Sequence, residues 1–538
     1  MITIDISRRD AIRLAGGGLA AALSAPLLAG CGLTGGVAGP RFLPRMRTPT
    51  KLLVVETAGM TPDDLALLCS LQGLVNRSGR GPSLYLVQRN SDTRWLGTAL
   101  AHIPQETVST ADLQQFLSGF ASAYKGAVVW DPSQTSREND LPYTKNVAAT
   151  YAGLNDLLLA TRSQASALGL DVKLDLTGKF TDEDAAYAWA LKNLWPACSR
   201  EFVVSEEPVV GGYLYDFAVA SRAFCFTFNP FRATQKAMAE QLYQGMVPNG
   251  ILLGWWSNGA SGQYEWSSVQ ITSPNSVAVV AANFFTNATV WGGVSAPVAA
   301  PSKLNATAEA KRLLAAGKKV FMSLQVSDGD NASADESTIF DRWQETSRGK
   351  VPISWSLDPL LADMAPAILA YFRRTATPND AFSTGPSGAG YMYANMWPAA
   401  QLPAYVSRTA QTMRAAGIPT PWVWPNPAGP ATLSDTVLTE YVKQIQPRGM
   451  FLGSGTSPRI QWVGDTPCIW LSGGANPTFP PPTGGYMFGA HELVLWNNTT
   501  KQIADLGLSL ETTGGTTLVL PEVLFELMRL TRNSSTSA

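Results

Sequence analysis

Short runs of β-branched and aromatic residues alternate along this chain with segments of helical spacing, and that alternation confines it to the α/β class. Strands are expected at LLVVET (52–57), SLYLVQ (83–88), AVVWD (127–131), GILLGWW (250–256) and SVAVVAA (276–282). Later runs are KVFMSLQVS (319–327), VPISWSL (351–357), AFSTG (381–385), PWVWP (421–425), GMFLGSG (449–455), CIWLSG (468–473) and ELVLW (492–496). Between them, 61–77 opens with a Thr cap, a proline and two aspartates and then repeats leucine at helical spacing. Segments 308–319 and 435–449 have the same crossover character. From about residue 300 the pattern is most regular, with about seven strands and intervening helices, which predicts a C-terminal β/α barrel-like domain over 301–538. An open doubly wound sheet fits the same periodicity. Residues 49–300 read as one or more smaller α/β units, bounded by the turn-rich stretch 293–306, and no repeat of fixed period is visible.

The N-terminus carries Ser7-Arg8-Arg9 before an Ala- and Gly-rich apolar stretch ending in Leu28-Ala29-Gly30-Cys31. This resembles a twin-arginine signal joined to a lipobox, with Cys31 lipidated. The implied location is an exported lipoprotein on the periplasmic or cell-surface side of a bacterial membrane, touching that membrane through its anchor alone. Residues 32–48 read as a tether. Folded export leaves little role for disulfides, and Cys69, Cys198, Cys225 and Cys468 sit in apolar runs without metal or redox spacing.

The roughly 490 residues beyond the tether exceed what one core organises. A net charge of −1 with 15% charged residues gives no nucleic-acid footprint. Only His102 and His491 are present, so a His-rich zinc site is impossible and no GxSxG elbow supports a serine hydrolase. Acid–base chemistry therefore falls to carboxylates.

Ser327-Asp328-Gly329-Asp330-Asn331 follows an expected strand, at the end where α/β folds gather function. Asp328 or Asp330 can serve as one catalytic carboxylate, with Glu265 or Asp358 as the second. Alternatively Asp328, Asp330 and Asn331 bind calcium, or the segment is a polar turn that caps the next helix. No other cofactor is expected. Gly388-Ala389-Gly390-Tyr391-Met392-Tyr393 places two aromatic faces on one side of an extended segment beside a glycine floor. Such a surface suits a sugar, with Tyr391, Tyr393, Trp397, Trp255 and Trp256 stacking and Asn395, Ser387 and Asn331 hydrogen bonding. A buried strand with close backbone approach explains the same residues.

The GAGYMY stretch resembles the signature of the GxGYxYP putative glycoside hydrolase family, with Ala394 in place of its final proline. LQGLVNRSGRGPSLYL (71–86), MSLQVSDGDN (322–331) and 353–393 resemble the family's other blocks in the same order. The resemblance implies carbohydrate processing without naming catalytic residues. The expected function is hydrolysis of a poly- or oligosaccharide, with a non-catalytic carbohydrate-binding lipoprotein as the alternative.

Overall fold

A computed structural model describes residues 43–532 apart from 137–139, 209–210, 256–261, 298–303, 427–431, 454 and 456, and for 262–265 the backbone alone. The export segment with Cys31, Trp256 and the Glu265 side chain lie outside the described residues. The tether is shorter than its composition suggests, because Leu43 and Met46 are buried in the main core.

Three small parallel sheets come first. Thr48–Glu56 (β1), Arg80–Val87 (β2) and Gln105–Thr107 (β3) make one, and Ala127–Trp130 (β4), Leu158–Thr161 (β5) and Val172–Asp175 (β6) the next. Phe202–Ser205 (β7), Cys225–Phe226 (β8), Gly250–Gly254 (β9) and Val277–Val280 (β10) form the third. Their orders are β2-β1-β3, β5-β4-β6 and β8-β7-β9-β10, so the opening strand is flanked by its two successors each time. Although the sequence shows no repeat, the topology does. After β1, β4 and β7 the chain enters helices Pro62–Asn76, Thr144–Asn155 and Tyr215–Ser221, which pack on one another. The first is capped as its sequence predicts, with Thr61 Oγ1 accepting from Asp64 N at 3.2 Å and Pro62 opening the turn.

The C-terminal sheet is built from Val320–Val326 (β11), Ile353–Leu357 (β12), Asp380–Pro386 (β13), Thr420–Val423 (β14), Met450–Leu452 (β15), Ile460–Val463 (β16), Thr466–Trp470 (β17), Met487–Leu493 (β18) and Thr517–Leu518 (β19). Its order is β16-β17-β15-β14-β13-β12-β11-β18, with β19 also on β11, and only the β16–β17 pair is antiparallel. The sheet curls as a half-barrel, and β18 meets the segment after β17 at an isolated parallel bridge, Ser472–His491, rather than along a ladder. The strand expected at 492–496 lies earlier, because β18 pairs with β11 from Val320–Met487 to Val326–Leu493. His491 is thus buried within a strand, its Nδ1 3.0 Å from Ser472 Oγ. Leu495–Asn497 becomes a 3-10 turn.

Two seams bind the half-barrel to the N-terminal units. In the first, Tyr391 N donates to Val279 O at 2.6 Å and Val279 N to Tyr391 O at 2.9 Å, adding the Gly-Ala-Gly-Tyr segment to the free edge of β10. Gly388 sits at φ +127°, where a Cβ would lie 2.3 Å from Thr409 Cγ2, and Gly390 at φ +87° faces Ala278 and Val279. In the second, Thr286 Oγ1 lies 2.5 Å from Asp92 Oδ1 and 2.8 Å from Glu336 Oε1. A hydroxyl has one proton, so one of these carboxyls must donate to it. Burial first, and the charge of its partner for Glu336, holds both acids above the ordinary carboxylate range.

Two predictions follow from the seams. Gly388→Ala combines a left-handed backbone with a side-chain collision, so it should cost roughly 1–3 kcal/mol and lower the melting temperature by several degrees in calorimetry. For the acid pair, the folded state keeps protons that the unfolded chain releases, so stability falls as pH rises above the ordinary carboxylate range. Asp92→Asn should flatten the drop in melting temperature between pH 5 and pH 8. An unchanged slope would refute the shared proton.

Candidate functional site

The C-terminal ends of strands from the first, third and fourth sheets converge on a cavity of about 440 Å³. Arg89 comes from beyond β2, Glu207 from β7, Trp255 from β9, Asn283 and Phe284 from β10, and Trp496 from β18. Asp328, Asp330 and Asn331 enter from the turn after β11. Parallel strands leave their connections at this end, which is why binding groups collect there.

The acidic turn is pressed onto the sheet beneath it. Gly329 N donates to Ser356 Oγ at 2.8 Å, and a Cβ on Gly329 would lie 2.1 Å from the Ser356 carbonyl carbon. A Cβ on Gly385, at the end of β13, would lie 2.4 Å from Asp330 N. Glycine at both positions lets β12 and β13 carry the turn without an intervening side-chain layer. Asp328 itself has φ +70°, an unfavourable region for a non-glycine residue and one enriched at functional sites. Its carboxylate accepts from Ser327 Oγ at 2.8 Å, and the nearby Leu495 amide and Trp496 indole also favour its charged form. Burial outweighs these bonds and raises its pKa.

Aromatic walls stand over this floor. Phe284 is 43% and Trp496 53% exposed, and both line the cavity with the partly buried Trp255. Flat apolar faces beside polar groups match the two sides of a sugar ring, and Asn283, Ser333, Ser337 and Thr338 supply the polar groups. Asn331 lines the cavity while its Oδ1 accepts from Ala334 N at 3.1 Å, capping helix Ala332–Glu336. The helix-cap reading of the acidic segment thus falls on the asparagine and not on the aspartates. Among the described residues, no cluster of three or more Asp, Glu, His or Cys side chains has metal-holding geometry.

Several residues expected at the site lie elsewhere. Tyr391 and Tyr393 are at most 1% exposed, with their hydroxyls 3.2 Å apart and Tyr391 stacked near Trp255. They sit inside the seam with β10, where no ligand face remains open. Trp397 is buried against Tyr405. Ser387 is buried, its Oγ donating to Met392 O and accepting from Trp424 N. Asn395 ties Thr432 O and Ser434 N, tethering the loop before helix Asp435–Ile445. Asp358 does not line the cavity: it is 1% exposed beneath the acidic turn, with Oδ1 accepting from Leu360 N and its amide bonding Asp335 Oδ2. Burial pushes its carboxyl up to about 8. Of the expected contacts, Asp328, Asp330, Asn331 and Trp255 meet in the cavity. Arg89, Glu207, Phe284 and Trp496 were not foreseen. For Glu207 the missed signal was the four-residue strand FVVS before Glu206-Glu207, and for Trp496 it was the misplaced β18.

Comparison with known proteins agrees with this architecture. The chain matches the GxGYxYP N-terminal first domain over 51–122, the second domain over 124–198 and the third domain over 200–293. Residues 318–468 match the GxGYxYP putative glycoside hydrolase C-terminal domain. The crystal structure of a putative hydrolase from Bacteroides thetaiotaomicron VPI-5482 has the same fold, with a TM-score of 0.77 at 18% identity over 92% of this chain and 98% of that one. None of the curated proteins compared with the chain matches it. Four domain matches in order along a chain with this fold place the protein in the GxGYxYP family.

Proposed function

We propose that the protein is an exported glycoside hydrolase that cleaves a poly- or oligosaccharide in the 440 Å³ cavity, with Asp328 and Asp330 supplying carboxylate chemistry. The carrying observation is the meeting of both aspartates with the exposed faces of Phe284 and Trp496 on one cavity. Its volume is in the range of small-ligand sites. A sugar stacked on the aromatic walls would present its glycosidic bond to the floor, where an ionised carboxylate stabilises positive charge developing at the anomeric carbon. The described residues of the cavity include no histidine or cysteine, so carboxyl groups are its proton-transfer groups.

A non-catalytic carbohydrate-binding protein is the second reading. It is favoured by the hydrogen bond from Ser327 to Asp328 and the burial of that carboxylate, which resemble a structural anchorage. Calcium at Asp328 and Asp330 would belong to that reading. Cys31, as the lipidated residue, would tether the body outside the cell, and labelling with radioactive palmitate should be lost in Cys31→Ser.

The test of function is a polysaccharide and oligosaccharide panel assayed with detergent-solubilised full-length protein, reading released reducing ends and binding together. Wild type should turn over at least one glycan. Asp330→Asn should lose about 100-fold or more in kcat while binding persists. Trp496→Ala should raise KM by about tenfold, equivalent to about 1.4 kcal/mol of binding. Binding without turnover would establish the second reading, and binding lost on chelation would add the calcium.

A further inference from the structure

To the cavity that the acidic turn lines, the third sheet contributes a carboxylate of its own. β7 ends at Ser205, and the next two residues diverge: Glu206 is fully buried whereas Glu207 is partly buried and lines the cavity. Alternation at the strand end gives the adjacent glutamates opposite roles. Glu206 turns inward, where Oε1 accepts from Glu207 N at 3.0 Å and Oε2 from Leu214 N at 3.3 Å. On the other side, Pro208 O accepts from the buried Lys145 Nζ at 3.0 Å, and Lys145 lies over the faces of Trp130 and Tyr215. The Glu207 backbone is therefore held on both sides by buried groups while its side chain faces the space shared with Asp328 and Asp330. Among the described residues no cation pairs with its carboxylate within salt-bridge distance, so no structural ion pair accounts for a half-buried acid there.

Resting on the glycosidase reading, we propose that Glu207 is the general acid of the reaction, so that the third domain and the half-barrel each supply one side of the catalytic pair. In this role the protonated Glu207 carboxyl gives its proton to the glycosidic oxygen. The C1–O bond breaks with its electron pair going to that oxygen, and the leaving sugar departs as an alcohol. Water supplies hydroxide to C1, and its remaining proton passes to the Asp328–Asp330 side. One water is consumed, and exchange with solvent restores both carboxyl groups.

The surroundings suit an acid. Burial pushes the Glu207 carboxyl up to about 7, keeping a proton available near neutrality. The charged groups around it are Arg89, Asp328 and Asp330 on the shared cavity wall, with Glu206 and Lys145 behind its backbone.

The test compares full-length wild type, Glu207→Gln, Glu207→Ala and Asp330→Asn on the glycan that wild type cleaves and on the 2,4-dinitrophenyl glycoside of the same sugar. A dinitrophenolate leaves without protonation. Glu207→Gln should lose about 100-fold or more in kcat on the glycan but less than about tenfold on the dinitrophenyl glycoside, and the alkaline limb of the pH profile should vanish. Glu207→Ala should likewise keep turnover of the activated substrate within about tenfold of wild type while losing the glycan, a selectivity that simple misfolding would not give. Equal losses on both substrates, or a retained alkaline limb, would overturn the role of Glu207. If Asp330→Asn is impaired while Glu207→Gln is not, the glycosidase reading stands and this inference falls. If wild type turns over no substrate, both fall.

Discussion

The Thr286 hydroxyl, caught between Asp92 and Glu336, is the contact on which the geometry of the cavity rests. Asp92 belongs to the first sheet's unit, Thr286 follows β10, and Glu336 lies in the short helix directly after the acidic turn. The same Asp92 carboxylate receives the Gln88 and Arg89 amides at 2.8 Å each, which sets Arg89 at the cavity edge. Glu336 also receives the Trp291 indole and the Thr286 amide. Satisfying these buried donors fixes three distant segments at once, because an orphaned buried acceptor or donor costs about 1–3 kcal/mol. A protonated acid is what makes the arrangement possible. Two ionised carboxylates on one hydroxyl would repel in so buried a site.

The family signature follows from the other seam. Its glycines and tyrosines look like a sugar platform in sequence because glycine beside paired aromatics is the same composition a platform would have. The structure uses them to bring the half-barrel loop against β10, an exposed sheet edge that would otherwise remain unpaired. Tyr391 then fills the space between Trp255 and Trp424. The signature thus reaches the cavity indirectly, since Trp255 packs against Tyr391 on one side and lines the cavity itself.

How much was legible in sequence depended on whether the signal was local. The α/β class, the capped helix after β1, the buried cysteines and the acidic strand end were all readable, because capping and strand-end placement are written in adjacent residues. Helix Asp435–Ile445 ended before its expected limit because Gln446 adopts a left-handed conformation ahead of Pro447, which disfavours continued helix. The repeated strand order of the three N-terminal sheets was hidden, since topology repeats here without sequence period. Glu207 was missed because a four-residue strand gives too few residues for alternation to register. Exposure was hardest of all: nothing local separates Trp397, buried in a seam, from Trp496, open at the cavity.

The buried acids explain how a cavity floor dense in carboxyl groups stays assembled. Among the described residues, Asp335 Oδ1 and Asp358 Oδ2 have no hydrogen-bond partner, and burial raises both acids. Ionising either would strand charge in a low-dielectric layer directly behind Asp330, at a cost the available hydrogen bonds do not offset. Kept neutral, they leave the Asp328–Asp330 turn free of repulsion from below. The aspartates on the cavity side are then the ones that the proposed hydrolysis can use. Environment separates like groups, with neutral acids forming the foundation and Asp328, Asp330 and Glu207 on the cavity wall. That division depends on burial, so the proposed chemistry would need the seams that bury the layer beneath as much as the residues lining the cavity.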